Sequence, residues 1–163
     1  MRHGIPVGGA GISDRVRGLS PEGIRQTERA AAGLAAIGVR FDRIVTSPLA
    51  RAAATAALVG RGQPTPVPPE EMDELAGGVV PEILFRALSP LRQDARVLLV
   101  GHEPDMGAIA SALIGEPAGR PLPFGRGSIA RIDVDRLPPR RPGTLVWLLT
   151  AALAGALAEP FAG

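Results

Sequence analysis

The chain has 163 residues, a net charge of +2 and no cysteine, and this length suits one domain with its own core. Hydrophobic residues make up 45%, acidic residues are interspersed with arginines, and lysine is absent. These properties argue against a nucleic-acid-binding protein, a disulfide framework and a thiolate site.

Helix and strand patterns alternate in the first half of the chain. The stretch 19–38 predicts a helix with Ser20 as N-cap and Gly38 as its stop. RIVTS at 43–47 predicts a buried strand, and SPLARAAATAALVG at 47–60 a second helix capped by Ser47. The Pro- and Glu-rich stretch 62–78 predicts a loop.

The second half continues this alternation. A short helix is predicted at 81–88, a buried strand at 95–102, and a helix at 103–115 that ends at Gly115. Two further strands are predicted at 127–135 and 144–149. The order predicts an α/β fold, a three-layer sandwich in which helices flank a mostly parallel central sheet.

The longest apolar run, TLVWLLTAALAGALA at 144–158, is shorter than the roughly 20 residues of a membrane span. We expect no membrane association and a cytoplasmic protein. We expect a domain over 1–150 and an Ala-rich tail over 151–163 that packs on the domain or on a second subunit.

The two histidines are the first candidates for catalytic residues. His3 and His102 each adjoin a glycine, Arg2 precedes His3, and Arg51 lies near the start of the second predicted helix. A single histidine is more often structural. Here an imidazole that can act as a nucleophile occurs together with arginine side chains and a helix N-terminus. Guanidinium groups and helix N-termini both bind phosphoryl oxygens. The set points to phosphoryl transfer.

Three motifs carry a family resemblance: RHG at 2–4, SPLARAAATA at 47–56 and VGHEPD at 100–105. In this order they resemble the histidine phosphatase superfamily, which includes the phosphoglycerate mutases. The short length and the D-x-x-R-x-L-S-P-E-G stretch at 14–23 look most like the SixA-type phosphohistidine phosphatases. The resemblance runs from residue 2 to about residue 149.

The resemblance implies catalytic roles for four residues. His3 would attack phosphorus and carry a phosphohistidine intermediate. Arg2 and Arg51 would clamp the phosphoryl oxygens, and His102 would stabilise charge in the transition state.

The resemblance also implies roles in substrate binding. Arg17 would contact the phosphate or the substrate, and Gly4 and Gly101 would allow close backbone approach. Glu74 lies where larger members carry a general acid, although an acidic loop is more often simply solvated. We expect no cofactor and no metal ion.

The expected function is that of a phosphohistidine phosphatase acting on a phosphorylated protein. Two alternatives remain: a phosphatase of small phosphorylated molecules, and an impaired relative that only binds phosphorylated ligands. The stretch GGAGIS is no P-loop, because a preceding strand and a lysine are lacking. The sequence has neither the zinc signature H-E-x-x-H nor the serine-hydrolase signature G-x-S-x-G.

One feature departs from the family pattern. The resemblance implies a central hydrophobic strand before RHG, yet only Met1 precedes Arg2. We expect that the natural start lies upstream, or else that the sheet has a gap there. A chain extended upstream should then be more stable and more active.

Overall fold

The computed structural model describes residues 1–9, 11–89, 92, 94–116 and 121–159. The predicted alternation of strands and helices is confirmed. The elements in order are α1 (Pro21–Ala36), β1 (Arg43–Thr46), α2 (Ala50–Arg61), β2 (Pro69–Glu71), a 3-10 turn (Asp73–Leu75), α3 (Pro81–Ala87), β3 (Val97–Val100), α4 (Asp105–Ile114), β4 (Ile129–Asp133), β5 (Thr144–Leu149) and α5 (Ala151–Ala156).

A three-stranded parallel sheet in the order β2-β1-β3 forms the centre of the fold. In β1, Ile44 pairs with Pro69 of β2 and Leu98 of β3. Neighbouring residues of a strand face opposite sides. Ile44 accordingly packs in a core with α1 and α2, whereas Val45 packs in a core with α3 and α4. Helices therefore cover both faces, which confirms the predicted three-layer α/β class.

The RHG segment lies between β3 and the antiparallel pair β4-β5. Arg2 forms a parallel bridge with Gly101, just past β3, and its backbone N–H donates to the Ser128 carbonyl at 2.9 Å. The backbone N–H of His3 donates to the Gly101 carbonyl at 3.0 Å. Main-chain hydrogen bonds thus hold this segment from both sides, and the Met1 side chain is buried.

Two local expectations were wrong. A three-residue strand, β2, lies in the stretch predicted as a loop, because its pairing with β1 outweighs its Pro-rich sequence at the sheet edge. Helix α2 begins at Ala50, with Leu49 rather than Ser47 at the N-cap position. Ser47 is instead fully buried at the end of β1, where it contacts His102.

The C-terminal segment packs on the domain. Residues 151–156 form α5 against α1, and Ala154 is fully buried there. Residues 160–163 of the predicted tail lie outside the described residues. No described helix has both the length and the apolar character needed to cross a membrane.

Candidate active site

The two histidines meet at the carboxyl edge of the parallel sheet, where ligand sites of open α/β folds form. His102 follows β3 and Gly101, and His3 lies beside this strand end. Their ring centroids are 5.1 Å apart and the ring planes are tilted by 55°. Both side chains are buried, at 6% and 7% exposure. The topology thus joins residues that are far apart in the sequence.

The hydrogen bonds of His3 define its tautomer. Nδ1 lies 2.7 Å from the Gly4 carbonyl oxygen, so this nitrogen is the one that carries a proton and donates. Nε of Arg51 donates to Nε2 of His3 at 3.2 Å, which requires a lone pair on Nε2. His3 therefore presents the unprotonated Nε2 beside the Arg51 guanidinium.

The surroundings favour neutral imidazoles. Burial lowers the pKa of His3 to about 4; the hydrogen bond to Gly4 acts in the opposite direction, and nearby positive charges add to the lowering. Burial, followed by the charge of Arg51, lowers the pKa of His102 to about 4 as well. Both rings are thus uncharged near neutral pH, and His3 is ready to act as a nucleophile.

Asp14 pairs with two arginines at the mouth of the site. Arg51 donates from Nη1 to the Asp14 main-chain oxygen at 2.8 Å and from Nη2 to its Oδ2 at 2.9 Å. Nη2 of Arg17 forms a short ion pair with Oδ1 of the same carboxylate. Although slight burial acts in the opposite direction, Arg51 and Arg17 lower the pKa of Asp14.

His102 is positioned by the buried Ser47. Its Nε2 lies 2.8 Å from Oγ of Ser47, and that oxygen also accepts from the Leu49 backbone N–H at 3.2 Å. The Ser47 hydroxyl can donate to Nε2 or accept from it, because its oxygen has two lone pairs. Nδ1 is buried and has no hydrogen-bond partner among the described residues.

Arg2 and Glu103 form another part of the site, next to His3. Nη1 of Arg2 donates to the Phe124 carbonyl at 2.8 Å. Burial raises the pKa of Glu103, against the opposing effect of the positive charge on Arg2. Burial also disfavours the charged form of Arg2, so it lowers the pKa of that guanidinium. A cation and an acid thus share the wall next to His3.

A cavity of about 210 Å³ lies over these groups. Five of the predicted site residues line it, namely Arg2, His3, Arg17, Arg51 and His102, together with Pro6, Glu103 and Arg126.

The other three predicted site residues do not line the cavity. Gly4 lies behind His3, where its backbone N–H donates to Oγ1 of Thr55 at 3.0 Å. Gly101 lies under the site, and a Cβ there would be 2.8 Å from Sδ of Met106. Glu74 is exposed on the 3-10 turn.

Sequence reasoning missed four residues of the site: Asp14, Ser47, Glu103 and Arg126. Asp14 stands three residues before Arg17 in the D-x-x-R stretch, a spacing that could have suggested the pair. Arg126 stands between two glycines, as a glycine adjoins each histidine. Ser47 precedes a proline, which is also the pattern of a helix cap. Within the described ranges, no cluster of three or more His, Asp or Glu side chains could hold a metal ion.

Comparisons with known proteins agree with this geometry. Residues 2–82 match the histidine phosphatase superfamily, branch 1. The solved structure of the protein histidine phosphatase SixA complexed with tungstate is 29% identical, with 93% of this chain and 95% of that chain covered and a TM-score of 0.79. The chain belongs to the histidine phosphatase superfamily.

Two further relatives fit this membership. A candidate phosphohistidine phosphatase SixA from Agrobacterium tumefaciens is 26% identical, with a TM-score of 0.71 and 92% and 94% of the two chains covered. An uncharacterized protein of Picosynechococcus sp. is 32% identical over 136 residues, 79% of each chain. The likeness to SixA covers 93% of this chain, so this histidine phosphatase shares that fold well beyond residue 82.

Proposed function

We propose that the protein is a phosphohistidine phosphatase that acts on a phosphorylated protein through a phosphoryl intermediate on His3. The observation that carries this proposal is the neutral His3 ring, whose Nε2 lone pair lies 3.2 Å from Nε of Arg51 in an arginine-lined cavity. Its superfamily includes phosphatases, and the SixA names of two relatives support phosphohistidine as the substrate.

In the first step, the Nε2 lone pair attacks phosphorus. The bond from phosphorus to the leaving nitrogen breaks, and that nitrogen keeps the electron pair. The Arg51 N–H turns from Nε2 to a phosphoryl oxygen, while Arg2 and Arg17 neutralise the other oxygens. The Gly4 carbonyl oxygen stabilises the positive charge that develops on the His3 ring, because Nδ1–H donates to it.

In the second step, water attacks the phosphorus of phospho-His3. The bond between phosphorus and Nε2 breaks, its electron pair returns to Nε2, and phosphate leaves. His102, whose ring is held in place by Ser47, stabilises the phosphoryl charge in both transition states. The steps use only groups of the chain and water, so we expect turnover to be unchanged after treatment with EDTA.

The leaving group favours phosphohistidine over an ester. A protonated imidazole leaves readily, whereas an alkoxide needs a dedicated acid. Glu74, the acid suggested by the sequence, is exposed and does not line the cavity, whereas Glu103 lines it and has a pKa that burial raises. A small phosphomonoester is the second candidate, because a cavity of about 210 Å³ suits a compact ligand.

Trapping of the intermediate tests the chemistry. The protein is incubated with a chromogenic phosphate ester, quenched in base and analysed by mass spectrometry. We expect base-stable, acid-labile phosphate on His3 in the wild type and none in His3→Ala, which should also lose turnover. Turnover that survives in His3→Ala would refute the mechanism.

The substrate class needs a separate comparison. The wild type is offered the same small carrier protein phosphorylated on histidine or on serine, together with small phosphomonoesters. We expect kcat/KM to be highest for the phosphohistidine carrier. A higher value for a small phosphomonoester would establish the second candidate instead.

A further inference from the structure

Arg126 differs from the other arginines of the cavity. Arg51 and Arg17 are paired with Asp14, and Arg2 donates to the Phe124 carbonyl. Arg126 lines the same cavity, is exposed, and its guanidinium makes no hydrogen bond or ion pair with any described residue. Arg126 therefore places a positive charge at the cavity wall, and no described residue neutralises that charge by an ion pair.

The backbone around Arg126 is tied to the nucleophile. The backbone N–H of Gly127 donates to the His3 carbonyl at 3.0 Å, and that of Ser128 donates to the Gly125 carbonyl at 2.9 Å. Gly127 has φ +73°, and a Cβ there would be 2.9 Å from Cβ of Ala151. This turn therefore fixes the Cα of Arg126 relative to His3, even though the Arg126 side chain is exposed to solvent.

The charge of Arg126 is not needed for the phosphoryl group itself. Three other arginines, Arg2, Arg17 and Arg51, line the same cavity and can supply the charge that the phosphoryl oxygens need. Arg126 also lies close enough to Arg2 to act on its pKa: burial lowers this pKa, the charge of Glu103 raises it, and the charge of Arg126 lowers it further. Two cations side by side are unfavourable until an anion lies near both.

We propose that Arg126 is a specificity-determining residue that binds a carboxylate of the substrate, next to the phosphoryl group held at His3. A guanidinium donates two parallel N–H groups, which match the two oxygens of a carboxylate. This inference rests on the proposed function in one respect, since it requires that the phosphoryl group binds over His3.

Affinity for non-hydrolysable ligands tests the proposal without turnover. Dissociation constants are measured by calorimetry for alkylphosphonates and for ω-carboxyalkylphosphonates of the same lengths, from two to five carbons. In the wild type, at least one carboxylate ligand should bind roughly five- to tenfold more tightly than its uncharged partner. In Arg126→Gln that ratio should fall to about one, while alkylphosphonate affinity changes little.

Arg61→Gln is the matched control. It also removes one exposed arginine, but at the far end of α2, about 15 Å along the helix from Arg51. It should leave the ratio unchanged. The proposal is overturned if no carboxylate ligand is preferred by the wild type, or if Arg126→Gln keeps the preference. Failure of all phosphonates to bind would instead reject the phosphoryl site, and with it the proposed function.

Discussion

Nη2 of Arg51 lies 2.9 Å from Oδ2 of Asp14, so the arginine nearest the nucleophile is paired with a carboxylate in the unliganded protein. Asp14 is well exposed, at 58% of its side chain, whereas the Arg51 side chain is 8% exposed. The carboxylate thus lies where a phosphoryl oxygen would compete for the same donors.

We therefore predict that Asp14→Asn strengthens the binding of inorganic phosphate and tungstate. Removing one negative charge beside the anion site in a water-exposed setting contributes about 1 kcal/mol, which is a gain in affinity of several-fold. Inhibition constants measured against a chromogenic ester would show this change. Asp133→Asn, which removes a carboxylate paired with Arg131 on β4, serves as control. Weaker inhibition in Asp14→Asn would mean that Asp14 chiefly positions the arginines.

The two histidines should make stability fall in acid. Both have a pKa of about 4 in the folded protein, against 6.5 for an unperturbed ring. Between pH 6.5 and 4 the unfolded chain binds more protons than the folded one, so lowering the pH favours unfolding. Each drop of one pH unit within that window should lower the free energy of unfolding by up to about 1.4 kcal/mol for each ring, with no contribution above pH 6.5.

Urea unfolding of the wild type and of His102→Gln from pH 7 to pH 4 measures this effect. Carboxylates remote from the site contribute equally to both proteins, so the difference reports the His102 ring together with its coupling to His3 and Asp14. We expect the acid-induced loss to be smaller in His102→Gln. Parallel curves would show that His102 titrates normally.

Ser47 should act on turnover through His102. Loss of its hydroxyl in Ser47→Ala removes the hydrogen bond that holds the His102 ring beside the phosphoryl site. We predict a fall in kcat of about tenfold or more, because a misplaced His102 ring stabilises the transition state less well. A small change in KM should accompany it, as measured by steady-state kinetics.

Thr150→Ala is the control for stability alone. Oγ1 of Thr150 accepts from the Leu153 backbone N–H at 3.2 Å as the cap of α5, away from the cavity. This variant should lose about 1 kcal/mol of stability and keep its kcat. An unchanged kcat in Ser47→Ala would remove Ser47 from the positioning role.

Helix α1 shows what local sequence was sufficient to predict. Oγ of Ser20 accepts from the Gly23 backbone N–H at 3.0 Å. This contact lies within one helical turn, so the local sequence is enough to predict the N-cap. Strand β2 was missed because its three residues are strand only through pairing with β1. Long-range pairing leaves no signal in so short a segment.

The residues of the site also fall into two groups, those that the sequence predicts and those that it does not. His3 and His102 were identified because each motif has its own glycine turn and because family resemblance places them together. Asp14 and Arg126 were missed because their surroundings depend on where two loops meet around the cavity, and single exposed charges are common on any surface. Ser47 followed the cap pattern, yet its burial at the end of β1 gave it a different partner.

Glu74 offers a direct test of the acid suggested by sequence. Its side chain is exposed on the 3-10 turn, outside the residues that line the cavity. We predict that Glu74→Gln changes kcat for a phosphohistidine substrate by less than about twofold, since an imidazole leaving group needs no strong acid. A loss of kcat confined to ester substrates would assign Glu74 as the general acid for esters.

Gly33 sets the distance between α1 and α5. A Cβ at this position would be 1.7 Å from the Ala154 carbonyl oxygen, so Gly33→Ala must push α5 away from α1. Alanine improves helix propensity, by up to about 1 kcal/mol, but overpacking typically costs more. We predict a net loss of about 1 to 2 kcal/mol in urea unfolding, with kcat preserved. Gly8→Ala, where a Cβ would meet nothing within 4 Å, should unfold like the wild type. Equal or greater stability of Gly33→Ala would show that α5 is held loosely, as the separate tail that the sequence suggested.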